Sequence, residues 1–201
     1  MGYILLAVGL ILAFVGIKMI MSTPDQSKEI AEEKTEISEP SVAPSAIDNN
    51  EQKGLDFEKW VIAHFPKQYY TLKEWRGDKY DNGTYAESTR YPDLELELNL
   101  KSGIQETFAI ECKWRSNFKN DKIEWASEES IKIYNQFASD RGVAVFVVIG
   151  IGGEPSTPET VFAVPLRALK YPTVTRDYLE KFRRKDTNKD FFYKAKDNSL
   201  E

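Results

Sequence analysis

Between residues 108 and 115 apolar and polar side chains alternate with the two-residue period of a strand. Phe108, Ile110, Cys112 and Trp114 fall on one face, and Ala109, Glu111, Lys113 and Arg115 on the other. A carboxylate and an ammonium thus share one face of a strand apolar enough to be central. Upstream, Tyr91 to Leu100 alternates as cleanly, with Asp93 opening its polar face, and Lys101-Ser102-Gly103 supplies the turn between the two runs. The apolar stripe Leu55, Phe57, Val61, Ile62, Phe65 predicts a helix from Lys53 to Phe65, stopped by Pro66. Tyr69 to Trp75 reads as a strand, and Gly77 to Arg90 as a polar loop rich in turn formers. Ile131, Ile133, Tyr134 and Phe137 mark a helix over Glu128 to Ser139. Gly142 then releases the chain into Val143 to Ile151, a nearly unbroken apolar run that suits a strand covered on both faces. Thr160 to Val164 is a further short strand, Pro165 to Leu169 a helical turn, and Thr175 to Lys185 a helix. The order predicts an α/β fold about a mixed sheet, without an alternating doubly wound topology.

The ends of the chain differ from this middle. Tyr3 to Met21 is apolar except for Lys18, 19 residues against the roughly 20 that cross a bilayer. A signal peptide is the competing reading, but the segment lacks a basic start and an A-x-A cleavage pattern. The reading adopted is a transmembrane anchor over 1–21, followed by a disordered acidic linker over 22–50 and a folded domain over 51–201. Lys18, on the C-terminal flank, assigns that domain to the cytoplasmic side, as in a single-pass protein of a bacterial inner membrane. Of the net charge of −5, residues 1–50 carry −4 and residues 51–201 only −1, so global charge argues neither for nor against a polyanionic partner. The single cysteine excludes a disulfide framework and a Cys-rich zinc site, and the single histidine, His64, excludes a His-rich one. No phosphate-cradling GxxxxGK[ST] occurs. Gly150-Ile151-Gly152-Gly153 leads into Glu154-Pro155 and not into a helix, so it is not read as a nucleotide loop.

Asp93 and Glu111 on hairpin-connected strands bring two carboxylates together, with Lys113 on the same face. Mg²⁺ prefers oxygen ligands and keeps several waters, so two carboxylates suffice, and the main-chain carbonyl of Cys112 adds a third donor. Mn²⁺ suits the same set. Such a site relieves charge on a phosphodiester and acidifies an attacking water, while Lys113 orients that water or stabilises the transition state. Glu58, on the margin of the first helix's buried face, reads either as a satisfied structural group or as part of the site, where it reaches a ligand water if that helix packs over it. The competing reading is a surface ion pair between Glu111 and Lys113, worth ~0–1 kcal/mol. Glu95 and Glu97 share the face of Asp93 and read as solvated strand charges, with an auxiliary metal ligand as the alternative for Glu95.

Pro92-Asp93, a gap of 17 residues and Glu111-Cys112-Lys113 resemble the PD-(D/E)XK signature of the restriction-endonuclease-like nucleases. Gly54-x-x-Phe57-Glu58 is similar to the first-helix pattern of the Mrr-like and Holliday-junction-resolvase-like branches. The resemblance covers about half of the chain. It implies an αβββαβ core and Mg²⁺-dependent endonucleolytic cleavage of DNA, with Asp93, Glu111 and Lys113 catalytic. It further implies that Glu58 supports the metal site and that Gln136, in the helix after the E-x-K strand, assists. A catalytically inactive nuclease-fold module that binds DNA or a protein at the membrane is the alternative. No small-molecule cofactor is implied, and the oligomeric state is open, a dimer included.

Arg167 to Lys196 holds ten basic and four acidic residues interleaved with aromatics, densest at Lys181, Arg183, Arg184 and Lys185. This local +6 reads as a nucleic-acid-contacting surface, as a solvated helix face, or as a contact for anionic lipid headgroups.

Overall fold

A computed structural model describes residues 46–77, 80–81, 84–85 and 90–201 of the chain. The expected anchor and the linker as far as residue 45 lie outside the described residues. Among those described, no helix is long and apolar enough to cross a membrane.

The first helix, α1, spans Ala46–Ala63 and begins seven residues before the predicted Lys53. Its early turns carry no apolar stripe, so periodicity is silent there. Gln52 Nε2 donates to Asp56 Oδ1 at 2.7 Å across one turn there. Strand β1 (Tyr70–Trp75) follows. The expected polar loop contains a small antiparallel pair, β2 (Tyr80–Asp81) and β3 (Thr84–Tyr85). Next come β4 (Leu94–Asn99), β5 (Gln105–Arg115) and the short β6 (Lys122–Glu124). Helix α2 (Glu128–Arg141) is capped by the Ser127 hydroxyl, which accepts from Ser130 N, and closes on Gly142 at φ 64°. After it lie β7 (Ala144–Ile151), β8 (Thr160–Pro165), a 3₁₀ turn at Leu166–Ala168, and β9 (Thr173–Thr175). Helix α3 (Arg176–Leu179), β10 (Tyr193–Lys194) and β11 (Ser199–Leu200) complete the order.

The central sheet runs β1-β4-β5-β7-β8, antiparallel except for the parallel pair β5–β7. It is the mixed sheet expected, and its core elements α1, β1, β4, β5, α2, β7 keep the αβββαβ order. One face packs Leu94, Leu96, Phe108, Ile110, Phe146 and Val148 against Phe57 and Val61 of α1. The other packs Ala109, Val147, Ile149 and Val164 with Tyr134 and Phe137 of α2. Strand β7, buried on both faces, explains its unbroken apolar run. Glycine is required at position 150, because a Cβ there would lie 2.5 Å from the Phe57 ring.

The predicted helix over Thr175 to Lys185 is not formed as such. Only α3 and a 3₁₀ turn over Glu180–Phe182 are helical. The chain then straightens to lie along β8, where Arg184 N donates to Val161 O at 2.8 Å. Tertiary pairing overrides helix propensity there.

Candidate active site

The site arises where β5 outruns its neighbour. Pairing between β4 and β5 ends with Leu94 opposite Ile110, whereas β7 accompanies β5 as far as Arg115 opposite Ile151. One further hydrogen-bonded step in the same register would pair residue 92 with Cys112. Residue 92 is proline, which has no N–H to give. Its carbonyl is instead taken by Arg76 Nη1 at 2.9 Å. The Cys112 N–H, left without a ladder partner on that edge, donates to Asp93 Oδ2 at 2.7 Å. In a strand the carbonyl of a residue points to the same edge as its N–H, so the Cys112 carbonyl faces this gap too. Carried on by one residue, the register sets Asp93 directly opposite Glu111.

Glu111 is 1 % exposed, and Lys113 Nζ lies 2.5 Å from its Oε1. The same oxygen accepts a hydrogen bond of 2.7 Å from the Tyr134 hydroxyl, presented by α2. Its partner oxygen, Oε2, is buried with no hydrogen-bond partner among the described residues. From the other side of the sheet α1 brings Glu58, also buried, whose Oε2 accepts from Trp75 Nε1 at 2.6 Å. Glu58, Asp93, Glu111, Lys113 and Tyr134 all line one cleft of about 630 Å³. Burial of Glu111 removes the surface ion pair as an account of its contact with Lys113.

These groups perturb one another. Burial pushes the Asp93 carboxyl well above the usual carboxylate range, and Glu111 and Glu58 add to the shift against Lys113 and the Cys112 N–H. Burial works against the Lys113 charge, but Glu111 and Asp93 outweigh it, so the ammonium holds its proton above the ordinary lysine range. Tyr134 is likewise raised, by burial and then by the Glu111 charge, so it remains a donor at neutral pH. Burial also raises the Cys112 thiol well above its usual value, which makes it an inert packing residue.

The donor set fits a hard divalent cation. Glu111 Oε2 is a buried carboxylate oxygen without a hydrogen-bond partner among the described residues. Asp93 stands beside it with an ionisation made unfavourable first by burial and then by neighbouring carboxylates, and a main-chain carbonyl faces the same gap. No group of three His, Cys, Asp or Glu side chains among the described residues is disposed as a metal cage. A two-carboxylate site completed by a main-chain oxygen and water does not need one.

Other sequence expectations fall elsewhere. Gln136 is exposed on α2, donates to Asp140 Oδ1 at 2.6 Å and lines a separate pocket with Arg90 and Tyr91. It does not join the cluster. Tyr134, two positions earlier and so on another face of the helix, takes the place expected of it. Sequence reasoning missed that role, although Tyr134 belongs to the apolar stripe and a buried tyrosine hydroxyl needs a partner. Of the basic group, Arg184 is buried, with its guanidinium 3.6 Å from the Phe191 ring centroid and donating to the carbonyls of Lys189 and Asp190. It is an internal strut and not a nucleic-acid contact. Arg183 meets Glu180 at 3.3 Å and Lys181 lies 4.8 Å from the Tyr178 ring centroid. None of Lys181, Arg183, Arg184 and Lys185 is among the residues lining the cleft. Glu95, read as solvated, is buried against Arg76 at 2.7 Å.

No family model matches the sequence, and no curated protein does. Among solved structures the chain is similar to Hjc, a Holliday junction resolvase from the archaeal hyperthermophile Archaeoglobus fulgidus. The likeness has a TM-score of 0.44 at 16% identity and covers 64% of this chain and 88% of that one.

Proposed function

We propose that this chain is a divalent-metal-dependent endodeoxyribonuclease, held at a membrane by its N-terminal segment. The observation that carries the chemistry is Glu111 Oε2, buried with no hydrogen-bond partner among the described residues, at the gap where β5 outruns β4, with Asp93 and Lys113 beside it. Asp93, Glu111 and the Cys112 carbonyl are the groups that would hold Mg²⁺ or Mn²⁺. When bound, the ion relieves charge on the non-bridging phosphate oxygens and lowers the pKa of a water. Lys113, kept cationic by its carboxylate neighbours, offers positive charge where charge develops on the phosphoryl group. Tyr134 and Lys113 together fix the Glu111 carboxylate through one oxygen, and Glu58 from α1 adds an acceptor in the same cleft for a water.

The test is cleavage of supercoiled and branched DNA by the full chain with and without Mg²⁺. Lys113→Ala is expected to lower kcat about 10²–10³-fold, the usual loss on removing one transition-state donor. Parental cleavage by that variant refutes the assigned role. DNA binding without cleavage by the parent, and without calorimetric Mg²⁺ binding, identifies an inactive binding module instead. The apolar run Tyr3 to Met21 supports the tether, and reporter fusions at the C-terminus test its orientation.

A further inference from the structure

The cleft that holds the carboxylates is ringed by a second set of charges. Its floor carries Glu58, Asp93 and Glu111 with Lys113, whereas its rim carries Lys53, Arg115, Lys119 and Lys122 against Glu124 alone. A net negative floor beneath a positive rim suits a polyanion that must lie across the mouth while one of its phosphates meets the floor.

The rim is built and not a chance scatter of lysines. Lys119 and Lys122 exchange main-chain hydrogen bonds of 2.9 and 3.0 Å around a two-residue turn. Its central residues, Asn120 and Asp121, both have positive φ, at 50° and 54°, the pattern of a tight primed hairpin turn. Arg176 clamps this turn from outside. Its N–H donates to Asp121 O at 2.8 Å, its Nε lies 3.2 Å from Asp121 Oδ1, and its guanidinium is 4.3 Å from the Phe118 ring centroid. The Asp121 charge is thereby taken up by Arg176, while Lys119 and Lys122 stay exposed. On the cleft wall Arg115 is fixed by donating to the carbonyls of Trp114 and Glu124 at 2.9 and 2.8 Å. Opposite, the Lys53 ammonium stands 5.9 Å from the Trp114 ring centroid. Cations set on rigid frames on two sides of a cleft grip a backbone at low entropic cost.

We propose that the sugar-phosphate backbone of the DNA runs across this rim, contacting Lys53, Arg115, Lys119 and Lys122, and that the 181–185 segment takes no part in binding. This rests on the nuclease reading of the floor, and its test is independent of cleavage. Binding of a short fluorescent DNA duplex to the full chain is measured in EDTA over a series of salt concentrations. Each phosphate contact contributes about −0.9 to the slope of log K against log salt. Lys119→Ala with Lys122→Ala is expected to make the slope shallower by about 2, and to weaken binding roughly 8-fold per lysine near ~0.1 M salt. Lys181→Ala with Lys185→Ala is expected to leave slope and affinity at the parental values. The charge-retaining Lys119→Arg with Lys122→Arg restores the slope, which separates lost charge from lost fold. In Mg²⁺ the rim double variant raises KM for DNA with kcat unchanged, whereas Lys113→Ala loses kcat. A parental slope in the rim variant overturns the proposal even if cleavage persists, and so does a lost slope in the 181/185 variant. Vesicles containing phosphatidylglycerol that bind with the same dependence on Lys119 and Lys122, in place of DNA, overturn it in favour of a membrane contact. Rim-dependent DNA binding without any cleavage supports the surface and sinks only the nuclease reading.

Discussion

Tyr134→Phe removes one hydroxyl and little else, because the ring keeps its place beside Trp125, 6.4 Å away between centroids. What is lost is the 2.7 Å donation to Glu111 Oε1. A hydrogen bond to a charged group contributes about 1.5–3 kcal/mol. The lower half of that range applies here, since Lys113 remains 2.5 Å from the same oxygen and the carboxylate is not stripped of partners. A loss of ~1.5–2 kcal/mol corresponds to a Tm lower by roughly 3–8 °C for a domain of this size. Thermal unfolding of the full chain in EDTA measures it. Glu111→Gln and the double variant complete a cycle whose coupling energy is expected to reach about 1 kcal/mol or more. A positioning role adds a second readout. Residues that orient a metal ligand typically cost 10–100-fold in metal affinity or activity when lost, so calorimetric Mg²⁺ affinity is expected to fall by about tenfold or more. A Tm within a degree of the parent, together with additive single and double variants, would refute the claim that Tyr134 holds Glu111. A lowered Tm with parental Mg²⁺ affinity would leave Tyr134 as packing alone.

Three further outcomes follow from the same geometry. Asp93→Asn retains an acceptor for the Cys112 N–H but removes a carboxylate that burial, Glu111 and Glu58 make hard to ionise. Because the folded-state pKa is raised, the cost of ionising Asp93 is absent below the ordinary value of about 3.9 and grows as pH rises through the raised one. The metal-free variant is therefore expected to melt above the parent at pH 8, with a gap that closes on acidification; a gap independent of pH contradicts this. Glu95→Gln strips the charge from a buried ion pair with Arg76, whose side chains are 9% and 6% exposed, and is expected to cost about 3–5 kcal/mol in urea unfolding. Pro92→Ala restores an N–H opposite Cys112. The hydrogen bond gained and the rigidity lost offset each other to within about 1 kcal/mol, while calorimetric Mg²⁺ binding is expected to weaken because the Cys112 carbonyl is drawn back into the ladder.

The core hairpin was legible because its signals are local. Alternation from Phe108 to Arg115 assigns faces without reference to anything distant, and β5 spans the predicted Gln105–Arg115. Long-range partners defeated the same logic one strand away. Glu95 alternates as a solvated charge, yet Arg76 and Arg141 approach it from other elements, at 2.7 and 3.7 Å. The helix glutamine was a different kind of error. Ile131, Tyr134 and Phe137 recur at three-residue intervals on the inward face, and Gln136 falls off that stripe. The helix phase was thus present in the sequence, and the expectation drawn from family resemblance displaced it. In the tail, a run of basic residues says nothing of whether β8 will claim the backbone beneath them, and that pairing is what buries Arg184.

The Pro-Asp dipeptide does more than deliver a carboxylate. Like charges directly opposite across an antiparallel pair are destabilising, and a chain selected for stability alone would not set Asp93 against Glu111. Proline at position 92 makes the juxtaposition structural, since it ends the ladder at Leu94 and leaves an N–H on Cys112 that only the Asp93 side chain answers. Lys113 and the Tyr134 hydroxyl then neutralise one oxygen of Glu111 and leave the other buried and, among the described residues, unanswered. Had either been spent on Oε2, both oxygens would be satisfied and the gap would be an inert polar network. Concentrating two donors on one oxygen while the second has none is an arrangement that stability does not favour. It is the strongest reason to regard this cluster as a site made for something that enters it.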